Sequence, residues 1–118
     1  MAGFEDNGLN AAVDAITALG DWIALFEGDP DGGGGTEVTG GSPAYSREQS
    51  TFDGAAGGTD PGTEVTFDVP AGADVTHWAI MTASTAGSRV YSAALPAAES
   101  FGGQGVFRLT PTVTATNA

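Results

Sequence analysis

The chain has one histidine, His77, which stands beside Trp78 inside an apolar stretch. Nucleophilic catalysis of the Ser/His/Asp kind needs a serine held against such a ring, and no serine here sits in a Gly-x-Ser-x-Gly turn. The expected role of His77 is structural. One histidine and no cysteine cannot supply the three nitrogen or sulfur ligands of a hydrolytic zinc centre. Carboxylates are the remaining candidates. Asp29-Pro30-Asp31-Gly32, followed by Glu37, puts three acids on one glycine-rich segment. Oxygen donors so gathered suit calcium, although the spacing is not that of an EF-hand loop. Asp29, Asp31 and Glu37 therefore stand as a candidate structural cation site, beside the plainer reading of a solvated acidic loop. The four glycines Gly32 to Gly35 suggest a phosphate cradle only if a lysine and a helix follow, and neither does. No catalytic residue and no organic cofactor is expected; a glycan hydrolase acting through two acids is the remote alternative.

These groups must be carried by a short chain. Its 118 residues fit one domain over 1–118. Residues 7–19 predict a helix, with Leu9, Ala12, Val13, Ile16 and Leu19 on one face, Asn7 as its cap and Gly20 as its end. Asp21 to Glu27 read as a strand buried on both faces, with Trp22, Ala24 and Phe26 on one side and Ile23 and Leu25 on the other. The Gly, Asp and Pro content of Gly28 to Ser42 predicts a long surface loop. A period of two then appears at Tyr45–Arg47, Ser50–Phe52 and, most clearly, Thr63–Val69. Pro70 to Asp74 predict a turn, Val75 to Met81 a strand, Ala86 to Ser88 a turn, and Arg89 to Ala93 a strand. A final strand is expected over Gly105 to Ala115. One N-terminal helix followed by short strands at about ten-residue spacing predicts a mainly β fold: a single jelly-roll-like β-sandwich over 21–115.

Fifteen acids face only Arg47, Arg89 and Arg108, with no lysine, for a net charge of −12. At ordinary salt the screening length is about 8 Å, and like charges repel across so small a surface; in molar salt it falls to about 3 Å. The balance predicts a protein suited to concentrated salt, and three dispersed arginines cannot build a nucleic-acid patch. No apolar run reaches the roughly 18 residues that cross a bilayer, and Met1 to Asp6 lack the pattern of a secretory signal. The residues after Glu99 contain no acid. Such a neutral, threonine-rich stretch suits contact with other protein, or else is a core strand with a frayed tail. It makes Phe107, Leu109 and Val113 interface candidates, joined by the three arginines as the positive charges available to a contact.

The order of segments resembles a family of small tailed-phage virion proteins, of the tail-fibre-like and head-decoration kinds. The resemblance runs through Asn10-Ala11-Ala12, Trp22 to Phe26, Gly28-Asp29-Pro30, Gly35 to Gly41, Tyr45-Ser46-Arg47, Thr51-Phe52, Val65-Thr66-Phe67, Val75 to Ile80 and Val90-Tyr91-Ser92. It implies a β-sandwich building block without enzymatic activity, in which Glu37 to Arg47 is a recurring feature. The physical counterpart is an Arg47–Glu37 pair pinning the end of the long loop. With the acidity, it implies a virus of a halophilic archaeon. The expected role is a capsid-surface decoration or turret subunit, made in the host cytoplasm and displayed on the virion. Its partners would be itself, as a trimer or pentamer, and a capsid protein. A tail-fibre or receptor-binding module facing a host-surface receptor is the alternative.

Overall fold

The structure, a computed structural model, describes residues 5–31 and 33–115. Helix α1 spans Asp6–Leu19 and is followed, among the described residues, by nine strands: β1 Trp22–Glu27, β2 Thr36–Glu37, β3 Glu48–Gln49, β4 Thr59–Pro61, β5 Val65–Val69, β6 Asp74–Met81, β7 Arg89–Ser100, β8 Gly105–Leu109 and β9 Thr112–Thr114. One layer is an antiparallel sheet ordered β2-β1-β6-β7, with β3 sharing the β2 edge of β1. The other is made of two antiparallel pairs, β4–β9 and β5–β8. The fold is a mainly β sandwich with its helix first in the chain.

Between the layers, Ile23, Leu25, Val75, Trp78 and Ile80 of the large sheet meet Val65, Phe67 and Val69 of β5, Val113 of β9, and Val13 of α1. Burying each such side chain contributes roughly 1.5–3 kcal/mol. Alternation in β5 follows from this: Val65, Phe67 and Val69 face inward while Thr66 is exposed. β1 is paired along both edges, and residues on both of its faces are buried: Ile23 and Leu25 in the core between the layers, and Ala24 and Phe26 with Ala79 and Met81 in a second cluster on the far side. Tyr45 stacks on Phe67 of the second layer at 6.1 Å, and within the large sheet Trp78 of β6 tilts against Tyr91 of β7 at 5.7 Å.

Several local expectations change. Asn7 is inside the helix, and the cap position is Glu5, with no side-chain capping bond. The buried helix face is narrower than its pattern: Leu9 and Val13 are buried, whereas Ala12 and Leu19 are exposed. Gly20 does end the helix, but with an extended backbone rather than a left-handed one, and a Cβ there would stand 2.5 Å from the Met81 carbonyl oxygen. Close approach of β6 explains this glycine. The Gly28 to Ser42 segment is not wholly loop, because Thr36 and Glu37 pair with β1 and the buried Val38 donates its N–H to the Leu25 carbonyl at 3.0 Å. The final strand is two strands, broken at Thr110-Pro111. Proline has no N–H for a ladder, and here its carbonyl accepts from Gly62 at 2.7 Å. β7 runs seven residues beyond the expected Ala93, to Ser100.

Candidate functional site

β2 and β3 pair with the two ends of one edge of β1, which leaves Leu25 between them without a strand partner on that side. A buried amide must find an acceptor. The hydroxyl of Tyr45 accepts the Leu25 N–H at 2.9 Å and donates its own proton to Glu37 Oε2 at 2.9 Å. Burial, with the Glu37 carboxylate adding to it, pushes this phenol well above the ordinary tyrosine range, against the opposing Leu25 amide. It stays neutral and works as a donor.

Glu37 is held from its other side by Arg47, whose Nε and Nη2 reach the two carboxylate oxygens at 2.9 Å each. The hydrogen bond to Glu37 raises the arginine's pKa further. Its Nη1 donates to the Ala83 carbonyl at 2.8 Å and the Ala86 carbonyl at 2.7 Å. Arg47 adjoins β3 on one edge of β1 while residues 82–88 connect β6 to β7 on the other, so these bonds carry the β6–β7 tip across β1. Ala86 has a left-handed φ of 54°, which costs a non-glycine residue about 1–2 kcal/mol. Arg47 holds it there. The expected pinning of the loop end by Arg47 and Glu37 is present, and the arginine side chain is only 8% exposed. A shallow pocket of about 290 Å³ lies between the 37–47 segment and residues 84–86.

Arg47 is thus consumed within the subunit and is not an interface charge. Asp29, Asp31 and Glu37 do not converge. Asp29 Oδ1 accepts the Asp31 N–H at 2.9 Å, Asp31 lies 3.9 Å from Arg89, and Glu37 belongs to Arg47 and Tyr45. Among the described residues no three acids, histidines or cysteines gather as ligands. His77 is half-buried, with Nδ1 2.8 Å from the Thr76 hydroxyl, which accepts the Gly28 N–H at 2.8 Å. The imidazole braces the start of the long loop.

The remaining candidates divide. Val113 is fully buried in the core, because its β4 partner Asp60 and the helix lie over it. It has no surface to offer another subunit. Phe107, Arg108 and Leu109 share β8 and do come together at the surface. Register against β5 turns Phe107 and Leu109 toward the core side, opposite Phe67 and Val65, and leaves Val106 and Arg108 outward, opposite Asp68 and Thr66. Beside them β7 leaves its ladder: His77 pairs with Ala94 but Val75 pairs with Glu99, so Leu95 to Ala98 bulge out. Two adjoining hollows of about 480 and 310 Å³ result, lined by Leu95, Pro96, Glu99, Phe101 and residues 106–110. Sequence pattern pointed to the β8 side of this groove; the β7 side lies in an alanine- and proline-rich stretch with no strand signal.

Comparison with protein-family models matches residues 8–115 to the podophage GP4 fiber I protein gp80 family. The span takes in every strand and nearly all of α1. The chain belongs to this family. No curated protein and no solved structure matches the chain significantly. Membership of the gp80 family makes the chain a virion structural protein of the tailed-phage kind, exposed on the particle. The gp80 match also includes Glu37, Tyr45 and Arg47, the hub that closes the sandwich edge, and the whole of the β7–β8 groove.

Proposed function

We propose that this chain is a non-enzymatic fibre subunit on the exterior of a tailed virus particle, assembled with copies of itself. The observation that carries this is the family match over residues 8–115, which spans the sandwich rather than one motif. The site geometry supports it: the polar hub spends its donors and acceptors on the subunit's own side chains and backbone, and the surface groove is apolar with single charges at its rim. Such an arrangement recognises protein. Head decoration predicts a different location. Gold-labelled antibody against the chain, imaged on intact particles, is expected to mark the tail appendages; uniform labelling of the shell would replace this reading by a decoration or turret subunit.

The acid excess supports a further part of the proposal, that the particle works in concentrated salt. Thermal unfolding followed by circular dichroism is expected to shift upward between about 0.1 M and 2–3 M sodium chloride as repulsion is screened. A melting curve indifferent to salt would overturn that part alone.

A further inference from the structure

Among the described residues Asp60 is the one acid or base that is fully buried, at 1% exposed, and neither of its carboxylate oxygens has a hydrogen-bond partner. It stands opposite the core residue Val113 across the β4–β9 pair, with α1 packed over both strands. What separates it from water is thin. The amides of Asp53 and Gly54 approach the carboxylate, and Asp53, Gly54, Ala56 and Gly57 of that covering loop are themselves exposed. Two bonds fasten the loop to the helix: Asp14 Oδ1 accepts the Ala55 N–H at 2.8 Å, and Asn10 Oδ1 accepts the Gly58 N–H at 2.7 Å. A third ties it to the chain just past β9, where the Ala115 N–H donates to the Gly58 carbonyl at 2.9 Å. Helix, loop and strand pair therefore meet around one carboxyl group.

The charges that face this group are both negative, Asp14 from α1 and Asp53 from the loop. β9, Thr112-Val113-Thr114, brings no titratable side chain. No cation compensates: Arg47 belongs to Glu37, Arg89 lies beside Asp31, Arg108 stands opposite Thr66 on the β5–β8 pair, and His77 is at Thr76 on β6. We propose that Asp60 is a proton-controlled latch for α1 and the 53–58 loop. Protonated, it lets both lie on β4 and β9; ionised, it drives them off together while the sheets stay paired. A buried carboxylate that lacks bonds and faces like charges is relieved by opening to water, whereas a neutral carboxyl has little to gain. The sheets have their own support, since α1 is in no ladder and Ile23, Leu25, Phe67, Val69 and Ile80 form the core from strands alone. Lifting the helix bares Leu9, Val13 and Val113, an apolar surface that the closed chain hides. Burial, then repulsion from Asp14 and Asp53, raises the closed-state pKa, while an opened Asp60 returns to the ordinary range of about 3.9. The closed form thus holds the proton more tightly, and the latch is shut in acid. Opening grows by up to about tenfold per pH unit above that ordinary range and levels off beyond the raised closed-state value.

Residue-resolved hydrogen exchange tests this on wild type and Asp60→Asn from about pH 4 to pH 8, at constant ionic strength and corrected for the intrinsic pH dependence of exchange. The Ala55, Gly58 and Ala115 amides report the latch, and the β5 and β8 amides report the sandwich. Wild-type protection at the three reporters is expected to fall by up to about tenfold per pH unit and then level off. Protection in β5 and β8 should change much less, and Asp60→Asn should stay flat at the reporters. Equal falls in wild type and Asp60→Asn would remove Asp60 as the control. An equal fall at the reporters and in β5 and β8 would make the group part of global unfolding and overturn the latch. Asp14→Asn keeps an acceptor for Ala55 and removes one facing charge, so it tests the proposal even if Asp60→Asn does not fold. Its fall should level off at lower pH than in wild type, and an unmoved levelling point would refute the latch. Calcium chloride that closes the wild-type latch at neutral pH, but not that of Asp60→Asn, would put a cation in place of the proton.

Discussion

Arg47 makes four hydrogen bonds and has a carboxylate beneath it, so its loss orphans several groups at once. Breaking a buried pair by removing one partner costs about 3–5 kcal/mol, and Glu37 is a quarter exposed. Arg47→Met is therefore expected to lower stability by about 2–4 kcal/mol in urea unfolding. Arg47→Lys should recover little of it, because an ammonium cannot match the planar fork. Asp60 behaves in the opposite sense. It is 1% exposed and neither carboxylate oxygen has a hydrogen-bond partner, although the amides of Gly54 and Asp53 approach it. Burial raises its pKa, with repulsion from Asp14 and Asp53 adding to the shift against the Gly54 amide. The folded state then holds this proton more tightly than the unfolded state does. Its contribution to stability is full below the ordinary aspartate range of about 3.9 and is lost as pH rises through the raised folded value. Asp60→Asn is expected to match wild type at low pH and to exceed it by about 1–3 kcal/mol at pH 7, read from denaturant midpoints across pH.

At the scale of elements, β1 is completed by a side chain. Tyr45→Phe keeps the stack on Phe67 but removes the acceptor for Leu25 N–H and a donor to Glu37. Leaving a buried amide unpaired costs about 1–3 kcal/mol, so that loss is expected in stability. Hydrogen exchange at the Leu25 amide should quicken beyond what the global change explains. Strong local patterns were readable here: β1 as an apolar run, β5 by alternation, β6 by its valine, tryptophan and isoleucine. What escaped had no local signal. β4 is Thr59-Asp60-Pro61 amid glycines, and it is a strand only because β9 lies beside it with Asp60 opposite Val113. That register is also what drives the carboxylate inward. The outer half of β7 is alanine and proline, held by the ends of β6 rather than by propensity.

For the whole molecule, charge and shape pull in different directions. A body of 48 × 26 × 22 Å carrying a net charge of −12 repels itself in dilute salt. Raising sodium chloride from about 0.1 M to 2–3 M is expected to raise the melting temperature by at least about 5 °C, roughly the shift of 1 kcal/mol in a domain this size. By itself the sequence determined the class of fold, the leading helix, the central strands, the excess of acid and the scarcity of chemical groups, because composition and periodicity are local properties of the chain. Tertiary structure alone decided which of three arginines lies inside and which stays open, that Val113 is core, that Asp60 is buried, and that Asp29, Asp31 and Glu37 stand apart. Each of these depends on which strands pair and in which register, and pairing is settled by contacts between residues far apart in sequence.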